Sequence, residues 1–548
     1  MSLYLNKTSI MYNNRLRTIL FPVILAFAVV LGMVINSLMS RQQLRLPLGS
    51  DNALPMQGSK LDMIMNMINY SYVDTVDIRQ IEEDAIPQII KDLDPHTVYI
   101  PAKDMQRVNE EMVGNFGGIG VQFYKYRDTV TVVKVVPGGP SEKAGLQDGD
   151  RIVRVNDSLV AGKKMSTDAI MKLMRGEVGS DVEITLVRRG TPRPVRKRIT
   201  RGNIPIKSVD IAYMVNDTTG LVKVKTFGMN TYNEFMQAME KLSAQGMRKV
   251  IIDLRDNEGG ILPIAIQMIN EFLPANRLIL YTQGKAVPRM DYSSNGKGRY
   301  QTLPLCVLIN DFSASASEIF AGAIQDNDRG LIIGRRSFGK GLVQEQRMLP
   351  DGSALRLTVA RYYIPSGRSI QKPYDQGKEK YYSDIYERAL HGEFTQKDSI
   401  RFDENLKYET VGGRTVYGGG GVMPDIFVPN DTLGFSNYLM EVNRKQALLY
   451  EYTFEFMDAH RDRMRRLKDY KQVLDYLKPY DLVDAMADYA ARHGVKRNER
   501  DIRTSRRVMD NTLKAFIGRH VLDDDGFFPI FYLEDTTVER ALEASFPE

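Results

Sequence analysis

The run Asn310-Asp311-Phe312-Ser313-Ala314-Ser315-Ala316-Ser317-Glu318-Ile319 follows a short apolar stretch and opens a segment with helical spacing. Ser315 and Glu318 stand three apart, as in a capping box, where the serine accepts from one backbone N–H and the glutamate reaches back to another. That is the plain structural reading. There is also a chemical one: the unpaired N–H groups and the dipole of a helix start favour negative charge, such as the oxyanion of acyl transfer. A serine nucleophile then needs a base. The histidines are His96, His391, His460, His493 and His520, and none lies between Ile204 and Leu390, which disfavours a histidine-based triad. Lys340, between Phe338-Gly339 and Gly341, is the alternative, since no acidic residue from Gly330 to Val343 would pair with it locally. A lysine base must have its pKa brought from about 10.4 towards 7, a shift of roughly 4 to 5 kcal/mol that burial or a nearby cation supplies.

Other chemistries fit less well. Gly334-Arg-Arg-Ser-Phe-Gly339-Lys340-Gly341 approaches a phosphate-binding loop, but Gly341 stands where that loop needs the Ser or Thr that holds magnesium. The residues after it, Leu342 to Gln346 and Leu355 to Tyr363, read as extended rather than helical. A single cysteine, Cys306, excludes a disulfide framework and a thiolate zinc cluster, and the scattered histidines give no metal-ligand spacing. No metal and no cofactor are expected. The net charge of +6 comes from 74 basic and 68 acidic residues dispersed over the chain, without the basic stripe that nucleic acid requires.

The chain of 548 residues is long enough for three or four domains, and its 43% hydrophobic and 26% charged residues are those of a globular protein. From about Ile204 to Asp431 strands and helices alternate: strands at Leu221–Phe227, Lys249–Leu254 and Pro304–Ile309, helices at Thr231–Ala244, Ile261–Leu273 and Ala316–Gln325. This predicts an α/β body that would position the serine and lysine. Before it, helical spacing at Leu61, Ile64 and Ile68 and again from Ile81 to Leu93 predicts a small helical region over 59–113.

Residues 114–202 instead show short alternating strands, Val130–Val136 and Val182–Val187, broken by Pro-Gly-Gly-Pro and Asp-Gly-Asp turns, and a helix near Thr167–Met174. With Gly117-Gly118-Ile119-Gly120-Val121 ahead of a strand and Pro140 to Asn156 after it, this module resembles a PDZ domain. The resemblance implies capture of a peptide carboxyl terminus, added as a strand while the glycine loop offers N–H groups to the carboxylate. Gly117, Gly118, Ile119 and Gly120 are the matching loop. Ile119, Val121 and Phe123 on the strand and Ile170, Leu173 and Met174 on the helix would line a pocket for the last apolar side chain, or serve as core.

At the N-terminal end, residues 19–35 carry no charge and Asn36-Ser37-Leu38-Met39 extends them, with Lys7, Arg15 and Arg17 but no acidic residue ahead. This predicts a membrane anchor over 19–39, with residues 1–18 cytoplasmic, 40–58 a linker and the rest outside the cytoplasm. A cleaved signal is the alternative, although no small-x-small site follows. Residues 432–548 are helical and charge-rich, with Leu467, Tyr470, Leu474 and Leu477 on one face. They read as packing support, assembly surface or adaptor site.

Together, Leu93-Asp-Pro-His-Thr-Val-Tyr-Ile100, the PDZ glycine loop and turn, Asp253-Leu-Arg-Asp-Asn-Glu-Gly-Gly260, Ser313 to Gln325 and Gly339-Lys-Gly-Leu-Val-Gln344 resemble the carboxyl-terminal processing (tail-specific) proteases, from about Leu61 to Pro429. The resemblance implies an α/β fold: a crotonase-like ββα-spiral core over 203–431, with an inserted PDZ domain. It implies Ser315 as nucleophile, Lys340 as general base 25 residues on (340 − 315), and Gln344 orienting the lysine. The backbone N–H of Ala316 with that of Gly259 or Gly260 would form the oxyanion hole, while Ser313 and Ser317 remain helix-start residues. Glu258 stands where the family often has proline. The implied function is a serine endopeptidase, extracytoplasmic on the periplasmic side, acting on protein tails with a free carboxylate and apolar last residues. A non-catalytic membrane-tethered PDZ adaptor is the other reading, against which the complete Ser315, Lys340 and Gln344 set argues.

Overall fold

The computed structural model describes residues 59–126, 128–444 and 448–545. The expected cytoplasmic tail, membrane anchor and linker lie outside them, and among the described residues no helix is long and apolar enough to cross a membrane. The described residues divide between Glu82 and Glu83 into two units. In the first, helix α1 (Lys60–Ser71) begins with a capping box: Ser59 Oγ accepts from Asp62 N–H at 3.3 Å, and Asp62 accepts from Ser59 N–H at 2.8 Å. Helix α2 (Ile78–Ile90) runs across the division.

The second unit starts with β1 (Val98–Ile100) and α3 (Ala102–Val113), closed by Gly114 in the left-handed region at φ 76°. The PDZ module follows. Its sheet runs in the order β3 (Val121–Tyr126), β4 (Thr129–Val135), β5 (Arg151–Val155), β6 (Asp181–Val187), β7 (Val195–Thr200), with α4 (Thr167–Met174) packed on it. Its own core is built from Val130, Val132, Ile152, Val182, Ile184 and Leu186, the inward residues of alternating strands. A neck made by β2 (Asn115–Gly118), antiparallel to β8 (Gly202–Pro205), brings the ends of the insert together.

Two large sheets build the body. One has the order β9 (Val209–Met214), β10 (Thr219–Val224), β11 (Lys249–Asp253), β14 (Leu305–Ile309), β15 (Leu331–Gly334), β18 (Ile426–Phe427), parallel except for β9. Between these strands come α5 (Thr231–Ala244), α6 (Leu262–Asn270) and α7 (Ala316–Asp326). The other sheet is antiparallel: β1, β17 (Ala354–Tyr363), β12 (Leu278–Gln283) and β13 (Met290–Ser293), with β16 (Leu342–Met348) also on β17. Helix α8 (Lys378–Leu390) precedes β18.

A parallel sheet must be covered on both faces, and the alternation along the strands shows how. Val222, Ile252, Val307 and Ile309 join the helix-side cluster with Phe272, Phe320 and Ile324. Leu221, Ile251, Cys306 and Leu308 face the other way, onto Phe528, Tyr532, Val538 and Ala541. Those partners belong to the end of the chain. After α9 (Asn437–Arg444), α10 (Leu448–Met464), α11 (Tyr470–Leu477), α12 (Leu482–Arg492) and α13 (Glu499–Leu522), which share one core, α14 (Asp524–Phe531) and α15 (Thr536–Glu543) lie beneath the body. The composition changes at 431, but the packing of the body continues to the last helix.

Candidate active site

Ser315 sits where β14, five buried apolar residues, gives way to α7, all of whose residues are buried. Its backbone is at φ 56° and ψ −115°, a conformation that costs a side-chain-bearing residue about 1–3 kcal/mol and persists only when its surroundings hold it. Here they do. Ser315 N–H donates to Glu318 Oε2 at 2.8 Å, Ala314 N–H to the Asn257 carbonyl at 3.0 Å. The flanking serines are more than the helix-start residues expected: Ser313 Oγ donates to the Leu254 carbonyl and Ser317 Oγ to the Asn257 carbonyl, each at 2.8 Å. Both tie the serine turn to the loop after β11.

Glu318 and Tyr362 join that turn to the lysine. The buried Glu318 carboxylate accepts the N–H of Gly339 at 2.7 Å and of Lys340 at 2.9 Å, and the Ser337 hydroxyl at 2.5 Å, in addition to Ser315 N–H. From the other side, the Tyr362 hydroxyl faces the carbonyls of Ser315, at 3.1 Å, and of Lys340. The two residues are therefore held through both peptide donors and both peptide acceptors. Burial pushes the Glu318 carboxyl up to about 7 against the pull of its four donors. Burial, seconded by the Arg356 charge, holds the Lys340 amine below the usual lysine range. Among the described residues that amine has neither an ion pair nor a hydrogen bond.

Gln344 donates its amide to the His96 carbonyl, and His96 Nε2 lies 2.8 Å from the Tyr381 hydroxyl. Burial and the neighbouring Lys340 charge push His96 down to about 3, so its ring is neutral. Sequence reasoning missed His96 at this site because it searched for histidines only within the α/β segment. The available signal was the 93–100 motif, which Asp94 folds into a turn by accepting the N–H groups of His96 and Thr97 at 2.8 Å.

The expected oxyanion donors differ in their partners. Gly259 N–H donates to Asn257 Oδ1 at 2.9 Å and is occupied. The N–H groups of Ala316 and Gly260 have no acceptor among the described residues. Gly259 contributes by lacking a side chain: at φ 103°, a Cβ there would lie 2.8 Å from Ser315 Cβ and 2.9 Å from Ala316 N.

In the PDZ module, β3 is an edge strand, and the N–H groups of Ile119 and Gly120 beside it have no acceptor among the described residues. Gly117 packs against Gly176, whose carbonyl oxygen a Cβ would approach to 2.1 Å, and Gly118 pairs with Gly202. Of the six expected pocket residues, Ile119, Ile170 and Met174 are buried core, whereas Val121, Phe123 and Leu173 are only half-buried against it. Among the described residues no group of three or more His, Cys, Asp or Glu side chains is placed to hold a metal.

Comparison with known proteins agrees with this architecture. Residues 218–377 match peptidase family S41, residues 117–196 a PDZ domain, and residues 438–523 a family of unknown function. A "Probable CtpA-like serine protease" of Staphylococcus haemolyticus is 31% identical over 379 residues, 69% of this chain and 72% of the relative. The chain belongs to peptidase family S41, a family of serine-type peptidases, here with a PDZ domain. The like-named Staphylococcus epidermidis protein is 32% identical over 313 residues, 57% of this chain and only 62% of its own length. A photosystem II D1 C-terminal processing protease, 26% identical over 68% of this chain and 92% of its own, superposes with a TM-score of 0.34.

Proposed function

We propose that this chain is a serine endopeptidase that recognises protein C-terminal tails through its PDZ module and cleaves through a Ser315/Lys340 dyad. The observation that carries the reading is the amine of Lys340: buried, unpaired among the described residues, and tied to the Ser315 turn through Glu318 and Tyr362. The neutral amine takes the proton of Ser315 as its oxygen attacks the substrate carbonyl, and returns it to the leaving amine. The N–H groups of Ala316 and Gly260 receive the oxyanion, each worth about 3–4 kcal/mol in such sites. Water then hydrolyses the acyl-enzyme. Gln344, anchored on His96, borders the base and orients it. A tail adds to β3, its carboxylate meets the free N–H groups of Ile119 and Gly120, and Val121, Phe123 and Leu173 receive its last side chain. Residues 19–39 anchor the chain in a membrane, with the peptidase on the extracytoplasmic side, and the charge-rich helical region 432–548 offers a surface for assembly or an adaptor.

The test incubates the full chain and its Ser315→Ala variant with an unfolded protein ending in an apolar residue, once with a free and once with an amidated terminus. Cleavage that requires Ser315 and slows on amidation is expected. Equal product from both chains would remove the peptidase assignment, and indifference to amidation would remove tail recognition.

A further inference from the structure

The loop that carries the oxyanion glycines is held at its start by residues far away in sequence. Asp253, fully buried at the end of β11, accepts from its own loop neighbour Arg255, at 3.0 Å from Nε and 2.7 Å from Nη2, and from the Tyr532 hydroxyl at 2.7 Å. Arg255 turns its remaining nitrogen to Asp535, at 2.8 and 3.0 Å from the two carboxylate oxygens. Asp535 in turn caps α15, accepting from the N–H groups of Thr537 and Val538. Lys223 completes the group, 3.9 Å from Asp253 and donating to the Arg255 carbonyl. Two cations and two carboxylates balance, and only Asp535 comes from outside the body.

A cavity of about 340 Å³, lined in part by Arg255, Asp256, Asn310, Tyr532 and Asp535, opens beside this group. Packing therefore leaves the loop room on that side, and the directed ionic contact fixes where Arg255 sits. Two residues on, Asn257 accepts from Gly259 N–H through its side chain and from Ala314 N–H and Ser317 Oγ through its carbonyl. A shift at Arg255 is thus passed both to the oxyanion glycines and to the serine turn.

We infer that Asp535, seconded by Tyr532, is a positioning residue for the oxyanion loop, so that the C-terminal helices complete the catalytic site without touching substrate. This rests on the peptidase reading above. It predicts a loss in the chemical step and none in tail binding, since displaced oxyanion donors weaken only the transition state.

The experiment measures kcat and KM on a tailed peptide for the full chain, with tail affinity measured separately by fluorescence anisotropy in a Ser315→Ala background. Asp535→Asn keeps a helix-capping side chain of the same size but removes the charge that faces Arg255. It should lower kcat about tenfold or more with KM and tail affinity within about twofold, Asp535→Glu should recover part of the loss, and Tyr532→Phe should lose less than Asp535→Asn. Val538→Ala, which loosens the same helix without touching Arg255, should leave kcat near wild type. Unchanged kcat in both Asp535→Asn and Tyr532→Phe overturns the inference, as does an equal fall in Val538→Ala. Should Asp535→Asn fail to fold, Tyr532→Phe and Asp535→Glu decide alone. Absence of Ser315-dependent turnover in the unsubstituted chain would defeat the peptidase reading instead, a separate outcome.

Discussion

At the scale of single residues, the proposed chemistry depends on which of two buried groups carries charge. Burial lowers the Lys340 pKa, so kcat/KM should rise with pH along a limb centred below the ordinary lysine value. Lys340→Arg, which stays protonated, should cost about 10²–10⁴ in rate at every pH. Glu318 works against the proposed base because its negative charge favours the ammonium form of Lys340. Glu318→Gln should therefore move the limb to lower pH. Stability gives an independent check. The folded-state carboxyl is raised from 4.5 to about 7, so the stability carried by its protonated form is fully present below 4.5 and lost as pH rises through about 7. Over that interval the Tm of wild type should fall relative to that of Glu318→Gln. A constant difference would mean that Glu318 is ionised throughout.

At the scale of elements, the turn after β11 and the turn before α7 work as one piece because Gly259 lets them touch. A Cβ there would lie 2.7 Å from the Ala314 carbonyl and 2.8 Å from Ser315 Cβ, and φ 103° is itself unfavourable for any L side chain. Gly259→Ala should lower kcat about a hundredfold through displaced donors, with intact tail binding by anisotropy. These elements were legible because their signals are local. The apolar run Leu305–Ile309 and the serine-rich start of α7 lie within a few residues of each other, and the Asp-Gly-Asp turn announces the PDZ module on its own. Contacts across long separations left no such mark. Nothing near His96 tells that its carbonyl will receive Gln344, 248 residues away, and nothing near Asp535 points to Arg255, 280 residues away. The choice between Gly259 and Gly260 depended on where one Asn257 oxygen turned, which no pattern of residue types encodes.

At the scale of the whole second unit, the C-terminal helices meet both the body and the PDZ module, so any motion of that module must be read against them. Tyr124 stacks on Phe454 at 5.2 Å between ring centroids, and Tyr126 stacks on the same ring at 6.3 Å while donating to Glu455 at 2.8 Å. Around this aromatic contact lie polar ones, Lys134 to Asp523 at 3.0 Å and Arg461 to the Asp148 carbonyl at 2.9 Å. Gln122, Tyr124 and Tyr126 alternate along β3, so one face of the edge strand is taken by the helices while Phe123 packs on the module's own core and Lys125 donates to the Met165 carbonyl. A tail adding beside β3 would therefore bind a strand already clamped on its far face. Each aromatic pair is worth about 0.5–1.5 kcal/mol beyond its buried area. Phe454→Ala removes two pairs with Tyr124 and Tyr126 and leaves the polar contacts in place. Amide exchange in β3 and β4 should quicken while that of β10, β11 and β14 stays slow, because the body keeps its own cover in α14 and α15. If the clamp restrains the module, the same variant should also cleave untailed peptides faster relative to tailed ones. Unchanged exchange in β3 would mean that the aromatic contact carries no weight in holding the module.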